Sequence, residues 1–442
     1  MIKPVAFLLF LTGATQASLV QEEVFIPQYD EQLIQIIQGQ PELTLDHLSK
    51  DGFELYGPAG MKKWLEQAEI DYLEPSAVGP RHHKQKDLAK SGEGYPSFDE
   101  LTSFLKNMAA KRPDIVKLVS LGKSVEGRDL WMMKISDNVQ VDEVEPEFKY
   151  ISSMHGDEIT GRELMRFFIE DIVNNYGQDK RITRLVNNTE LFIMPSMNPD
   201  GSHKRMRGNA NWKDLNRNFP DWTSGDRNTG DSRQPETKAI MKFQAKRQIA
   251  LSANFHGGAV VVNYPWDAAY ERHPLDELIK GFSLRYAELN PEMKNSTSFE
   301  DGVTNGADWY KVAGGMQDWS YYWHNDLQVT IELSDRKWPR YSEIPGFYAR
   351  NKDSLFLYPE LIHQGAGFKL KNSESGRAKV VELQFNGKEK DRGTYGFRDG
   401  EFYKALEPGN YRFEVETDSI KKSFEARVEA DKIYPNGNYS FL

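Results

Sequence analysis

Three stretches of this 442-residue chain end an apolar run on a side chain able to bind a metal or move a proton. Residues 147–158 read Glu-Phe-Lys-Tyr-Ile-Ser-Ser-Met-His-Gly-Asp-Glu. A strand predicted from the apolar part thus gives way to His155 and Glu158 just before a helical pattern (Leu164, Phe167, Phe168, Ile172). An imidazole and a carboxylate three residues apart near a helix start can point at one ion, and a mixed nitrogen and oxygen set suits Zn²⁺. Alone, H-x-x-E is a weak signal, because a surface pair fits it as well. A second run, Leu-Ser-Ala-Asn-Phe-His-Gly-Gly (251–258), ends on His256, a third protein ligand that leaves the fourth position to water, as catalytic zinc requires. The third, Leu-Gln-Val-Thr-Ile-Glu-Leu-Ser (327–334), carries Glu332, a carboxylate suited to act as general base on water. Three strand ends at one rim are what an open α/β sheet offers a ligand.

The company these residues keep is more specific than any one of them. In chain order stand Gly-Lys-Ser-Val-Glu-Gly-Arg (122–128), His-Gly-Asp-Glu (155–158), Met-Asn-Pro-Asp-Gly (197–201) and Asp-Leu-Asn-Arg-Asn-Phe-Pro (214–220). Phe-His-Gly-Gly (255–258), Gly-Gly-Met-Gln-Asp-Trp (314–319) and Thr-Ile-Glu-Leu (330–333) follow. With these motifs the chain resembles the zinc metallocarboxypeptidase family, in its N/E (regulatory) branch, from about Tyr95 to Gly365.

The resemblance implies roles that the residues' chemistry also motivates. His155, Glu158 and His256 hold one Zn²⁺, and Glu332 is the base. Asn216 and Arg217 match the pair that grips a substrate's terminal carboxylate, a bidentate task suited to a planar guanidinium. Tyr310 matches the mobile tyrosine that closes on the same group. Arg207 matches the arginine that faces the oxyanion, with Arg205 as the competing assignment. Gln317 and Asp267, the latter within Asn-Tyr-Pro-Trp-Asp (263–267), match the floor of the side-chain pocket. A carboxylate there selects C-terminal Lys or Arg. Against these roles stand plainer ones: solvated loop arginines, a half-buried tyrosine and a turn aspartate. Glu332 resists such a reading, since a carboxylate in an apolar strand is costly unless paired or functional.

The resemblance therefore implies a zinc-dependent exopeptidase acting on peptide or protein C-termini, with no nucleic-acid partner. Two rival readings stay open: the same zinc chemistry on acidic or cell-wall peptides, and a non-catalytic peptide-binding protein.

The elements around this core complete the expected architecture. Residues 1–17 have one Lys, an apolar core and small residues before Ala17, the pattern of a signal peptide, which implies a secreted or periplasmic protein. No cysteine follows to carry a lipid anchor, and no later run approaches membrane length. The chain has no cysteine at all, which excludes disulfides and a thiol nucleophile. Its net charge of −10 concerns encounter with substrates rather than pocket choice.

Residues 18–80 read as a small βαββαβ unit of ferredoxin-like type, similar to the pro-segments of some metallocarboxypeptidases. Such a segment is unusual for the N/E branch, and whether it inhibits, assists folding or does neither is left open. A polar linker (81–94) follows as a natural cleavage site. The expected catalytic domain, 95–365, has an open mixed α/β sheet. Residues 366–442, with turn signals at Asn386-Gly387, Asp399-Gly400 and Pro408-Gly409, predict an antiparallel β-sandwich resembling the branch's transthyretin-like domain.

Overall fold

The computed structural model describes residues 22–38, 40, 43–49, 51–74 and 94–442. The expected signal peptide, residues 18–21 and all of the expected linker except Gly94 lie outside the described residues. The chain divides into two units, 1–93 and 94–442.

In the first unit, β1 (Glu22–Ile26), α1 (Glu31–Gln38), β2 (Thr44–Ser49), β3 (Gly52–Gly57) and α2 (Met61–Gln67) follow one another. The sheet order is β1-β3-β2, with antiparallel pairs. The expected last strand shrinks to a single bridge in which Leu73 pairs with Phe25. Leu33 and Ile37 of α1, and Met61 and Leu65 of α2, recur one turn apart and are buried with Ile26, Phe53 and Leu55.

The second unit begins with α3 (Phe98–Lys111), opened by a capping box in which Ser97 and Glu100 satisfy each other's backbone N–H. β4 (Val116–Lys123), β5 (Asp129–Ile135), β6 (Glu147–Ser152), α4 (Thr160–Asn175), α5 (Lys180–Val186) and β7 (Glu190–Met194) come next. They are followed by α6 (Pro199–Lys204), α7 (Pro235–Gln244), β8 (Ile249–His256), β9 (Val260–Tyr264), α8 (Asp276–Glu288) and α9 (Pro291–Lys294). β10 (Val303–Asn305), α10 (Gly306–Trp309), α11 (Met316–His324), β11 (Leu327–Leu333) and α12 (Ile344–Glu360) complete it.

Eight strands form one mixed sheet in the order β10-β9-β11-β8-β6-β7-β5-β4. Its centre, β7, β6, β8 and β11, is parallel. Every residue of these four strands is buried, because helices cover both faces. Phe148 and Tyr150 join a core with Phe168, Ile172 and Phe356 from α4 and α12. Ile151 on the same strand turns to the other face, with Ile240 of α7 and Trp319 of α11. The polar member of that alternation is Lys149, whose ammonium pairs with Asp326 at 2.9 Å in full burial. Parallel strands under two helical layers deliver the ends of β6, β8 and β11 to one rim.

The tail carries β12 (Gly365–Lys369), β13 (Gly376–Leu383), β14 (Glu389–Phe397), β15 (Glu401–Ala405), β16 (Gly409–Glu416), β17 (Lys421–Val428) and β18 (Tyr439–Phe441). They form sheets of order β15-β12-β18 and β14-β13-β16-β17, with β12–β18 as the one parallel pair. Phe368, Phe397, Phe402 and Phe413 fill the space between them. The mixed-sheet domain and the β-sandwich after it match the expected architecture. Alternation in the tail predicts strands at Lys379–Phe385, Gly400–Ala405, Tyr411–Glu416 and Ser423–Glu429, which correspond to β13, β15, β16 and β17; β12, β14 and β18 are additions.

Candidate active site

The loop after β6 presents His155 and Glu158, and β8 ends on His256; all three are buried. His155 Nδ1 lies 3.0 Å from Glu158 Oε1 and 3.0 Å from His256 Nδ1, and the latter lies 2.7 Å from Glu158 Oε2. Two ring nitrogens facing each other and a carboxylate can share at most a proton, whereas a cation between them engages all three. The spacings are slightly tighter than the roughly 3.3 Å that tetrahedral zinc with Zn–N bonds of about 2.0–2.1 Å would set. The donor set therefore fits zinc in number, type and placement. Gly156 permits the approach, since a Cβ there would stand 2.1 Å from the Gly201 backbone carbonyl carbon.

The far nitrogen of His155, Nε2, lies 2.9 Å from Asp214 Oδ1. With the proton on Nε2, the Nδ1 lone pair is left to the metal, the usual work of a carboxylate behind a ligating histidine. Asp214 also accepts from Asn216 N–H at 2.8 Å and from Arg207 Nε at 3.0 Å, so one carboxylate orients the histidine, the turn and the guanidinium. Its place at the head of the 214–220 motif does not by itself reveal this role.

Arg207 is buried, with Nη1 3.3 Å from Glu158 Oε1. Arg205, two residues before it, instead stacks its guanidinium over Trp338 at 4.7 Å. Of the two arginines, Arg207 is the one beside the metal cluster. The remaining motifs hold this loop in place. Asp200 accepts from Ser124 Oγ (2.8 Å), Glu126 N–H (2.9 Å) and Arg128 Nη1 (2.6 Å), and Asn198 Nδ2 donates to the carbonyls of Met154 and Arg207.

Electrostatics follow from these contacts. Burial works against the charge of Glu158, yet His155 and His256 hold its carboxyl well below the usual range. Burial and the Arg207 guanidinium oppose a charge on His155, but Glu158 and Asp214 outweigh them and lift it to about 9. Asp214 is kept well below the ordinary aspartate range, against its own burial, by Arg207 and His155.

Glu332 is directly opposite His256 in the β8–β11 ladder, so both side chains leave the same face of the sheet. Asn216 sits in the turn after Asp214, and its Oδ1 accepts Met316 N–H at 3.0 Å. That bond fixes the amide and aims Nδ2 away from the α11 N-terminus. Arg217 follows, and its charge favours the ionised form of Asp214 and partly opposes the burial that raises the Asp267 pKa. Tyr310 ends α10, half-buried, with its ring 5.0 Å from that of Trp309.

Asp267 and Gln317 meet as the sequence motifs imply: Gln317 Nε2 donates to Asp267 Oδ1 at 2.9 Å, and Asn263 Nδ2 donates to the same oxygen at 3.1 Å. A Cβ on Gly306 would stand 1.7 Å from Oδ1, so only glycine leaves room for this carboxylate. Asp318, whose role the 314–319 motif does not by itself reveal, accepts Asp267 N–H at 2.9 and 3.1 Å and Ala268 N–H at 2.9 Å. Burial first, and then the Asp318 carboxylate, raise the Asp267 pKa well above normal.

The zinc carboxypeptidase family profile matches residues 101–354. Over 341 residues the chain is 42% identical to carboxypeptidase D of Homo sapiens, covering 71% of this chain and 24% of that protein. It thus spans about a quarter of that longer relative. It is 36% identical over 346 residues to carboxypeptidase M of Mus musculus, covering 73% and 77% of the two chains. The crystal structure of carboxypeptidase A from Helicoverpa armigera shares the fold at a TM-score of 0.60 and 18% identity, over 76% of this chain and 95% of that one.

Proposed function

This chain belongs to the zinc carboxypeptidase family, and from that premise we propose that it is a zinc-dependent exopeptidase that removes single residues from peptide C-termini, preferring Lys and Arg. The observation that carries the reading is the pairing of a three-donor cluster with a separate buried carboxylate, Asp267, beside the Asn216–Arg217 turn.

His155, Glu158 and His256 would hold the Zn²⁺, which when bound would supply Lewis acidity toward the scissile carbonyl and acidify the attacking water. Glu332 takes a proton from that water as its oxygen attacks the carbonyl carbon. It returns the proton to the amine as the C–N bond breaks, leaving a shortened peptide and a free amino acid. Arg207, already oriented by Asp214, faces the oxygen on which negative charge develops. Asn216, Arg217 and Tyr310 hold the terminal carboxylate, which restricts cleavage to the last peptide bond. Asp267, positioned by Gln317 and Asn263, receives the cationic side chain.

The N-terminal residues support a secreted or periplasmic destination, and among the described residues no helix is long and apolar enough to cross a membrane. We read residues 18–80 as a pro-segment-like unit and 366–442 as a transthyretin-like domain.

The test is C-terminal trimming of peptides that differ only in their last residue, followed by mass spectrometry with and without a chelator. The full chain is compared before and after trypsin cleavage in the Lys- and Arg-rich 81–94 stretch. Chelator-sensitive release of Lys and Arg is the expected result. Release of acidic or neutral residues instead would overturn the pocket assignment, and no release in either form would favour a binding protein. Faster release after cleavage would give residues 18–80 an inhibitory role.

A further inference from the structure

A second group of ligand-type oxygens lies in the loop between β5 and β6, at the end of β6 opposite His155. Asp137, Glu143 and Glu145 bring carboxylate oxygens within 4.8 Å of one another. Acidic clusters are common on surfaces, and Asp137 is indeed exposed. Glu145 is different: it is 2% exposed, and its Oε2 has no hydrogen-bond partner among the described residues. Glu143 Oε2 is likewise buried without a partner.

The nearby cations are committed elsewhere. Lys134 Nζ is held by Glu190 Oε1 (2.6 Å), the Val141 carbonyl (2.8 Å) and Asp142 (3.0 Å). Arg247 is held by Asp142 (2.8 Å) and Glu147 (3.2 Å). Asn138 Nδ2 reaches Glu143 Oε1 at 3.2 Å, and the other oxygen of that carboxylate is the orphan. Three carboxylates, one of them at the base of the cluster and sealed from water, thus share a small volume with no cation of the protein paired to them among the described residues. A buried acceptor left in that state is costly unless a proton or an ion satisfies it.

We propose that Asp137, Glu143 and Glu145 form a structural calcium site that pins the β5–β6 loop. The donors are hard oxygens with no nitrogen or sulfur among them, which favours Ca²⁺ over zinc. Their irregular loop setting suits the flexible coordination of Ca²⁺ at about 2.3–2.6 Å better than the strict octahedron of Mg²⁺. The exposed Asp137 leaves the ion's outer side open to water. Glu145 faces Asp137, Glu143 and Glu190 as acids and Lys134 as a base, and burial with the first two lifts its pKa to about 8. Calcium must displace that proton, so binding strengthens from pH 6 to pH 8.

The test uses the zinc-loaded full chain, freed of calcium by dialysis, with calorimetric titration of CaCl₂ at pH 8 and thermal unfolding with and without the ion. One Ca²⁺ per chain is expected, together with a higher melting temperature and unchanged zinc content. Glu145→Gln and Asp137→Asn each weaken binding at least tenfold. Asp137→Asn keeps the test valid should the buried substitution fail to fold. No heat and no shift in melting up to about 10 mM Ca²⁺, beyond the range of extracellular calcium modules, would overturn the site and leave a shared proton. So would binding undiminished in both variants, or MgCl₂ binding more tightly than CaCl₂.

Discussion

Glu158 and Asp267 are buried to nearly the same degree, 3% and 2% exposed, yet their surroundings push them in opposite directions. Glu158 stands among two imidazoles and the Arg207 guanidinium and is held ionised. Asp267 stands over another carboxylate, Asp318, with neutral amides on its Oδ1, and is held toward its neutral form. Burial alone therefore says little about a carboxylate's state; the sign of its neighbours decides. At the metal cluster two imidazoles and a guanidinium line the carboxylate and favour its ionised form. Under the proposed function the compensating charge in the pocket arrives with the ligand, so that a Lys or Arg side chain would gain more there than a neutral one.

The sharpest way to separate the two regions is to disable the chemistry without touching either carboxylate. Glu332→Gln is expected to lower kcat/KM by about 10²–10⁴-fold, the range of a lost general base, while metal analysis finds zinc retained. Full activity in that variant would remove Glu332 from the mechanism. Next in size is Asp267→Asn. Losing one partner of a buried charge pair costs about 2–5 kcal/mol, so the preference for Lys and Arg over neutral residues should fall by on the order of 10²-fold. Release of neutral residues should survive. A preference left intact would mean that Asp267 does not meet the substrate, and the contrast with Glu158 would lose its functional meaning. Smaller again is Asp214→Asn, which removes the charge behind His155. Zinc affinity is expected to drop about 10–100-fold, measured by competition with a chelator, with little change in the Lys and Arg preference.

The cluster of His155, Glu158 and His256, the placement of Glu332 beside it and the Asp267–Gln317 contact were legible in the sequence because each residue sits in a short motif at the end of a strand or turn. Asp214 and Asp318 lie inside the 214–220 and 314–319 motifs, but their work, orienting His155 and holding the Asp267 backbone, is done by hydrogen bonds that only the folded chain reveals. The same limit applies to the β5–β6 loop: its acidity is plain in sequence, but the convergence of Asp137 with Glu143 and Glu145 is not. In the sandwich, β14 escaped because Glu389–Arg392 is a charged stretch on an edge strand, where solvated side chains blunt the alternation. β12, Gly-Ala-Gly-Phe-Lys, is too small-sided to read as a strand until β15 and β18 flank it.

The finest probe of the comparison is Asp318→Asn. An acid whose pKa is raised by the fold stays neutral to higher pH, so the charge of Asp267 available to a substrate is gained as pH rises through that value. KM for peptides ending in Lys or Arg should accordingly fall with rising pH, and this limb should vanish in Asp267→Asn. Stability runs the other way: between the ordinary aspartate range and the raised value the folded chain binds the extra proton, so this group's contribution declines as pH rises. An asparagine at 318 keeps a carbonyl oxygen for the N–H groups of Asp267 and Ala268 but removes the like charge. Burial and the opposing charge of Arg217 remain, so the limb should move part of the way to lower pH with kcat unchanged. A limb that stays in place would show that burial alone sets the state of Asp267, and that Asp318 serves only to hold the loop.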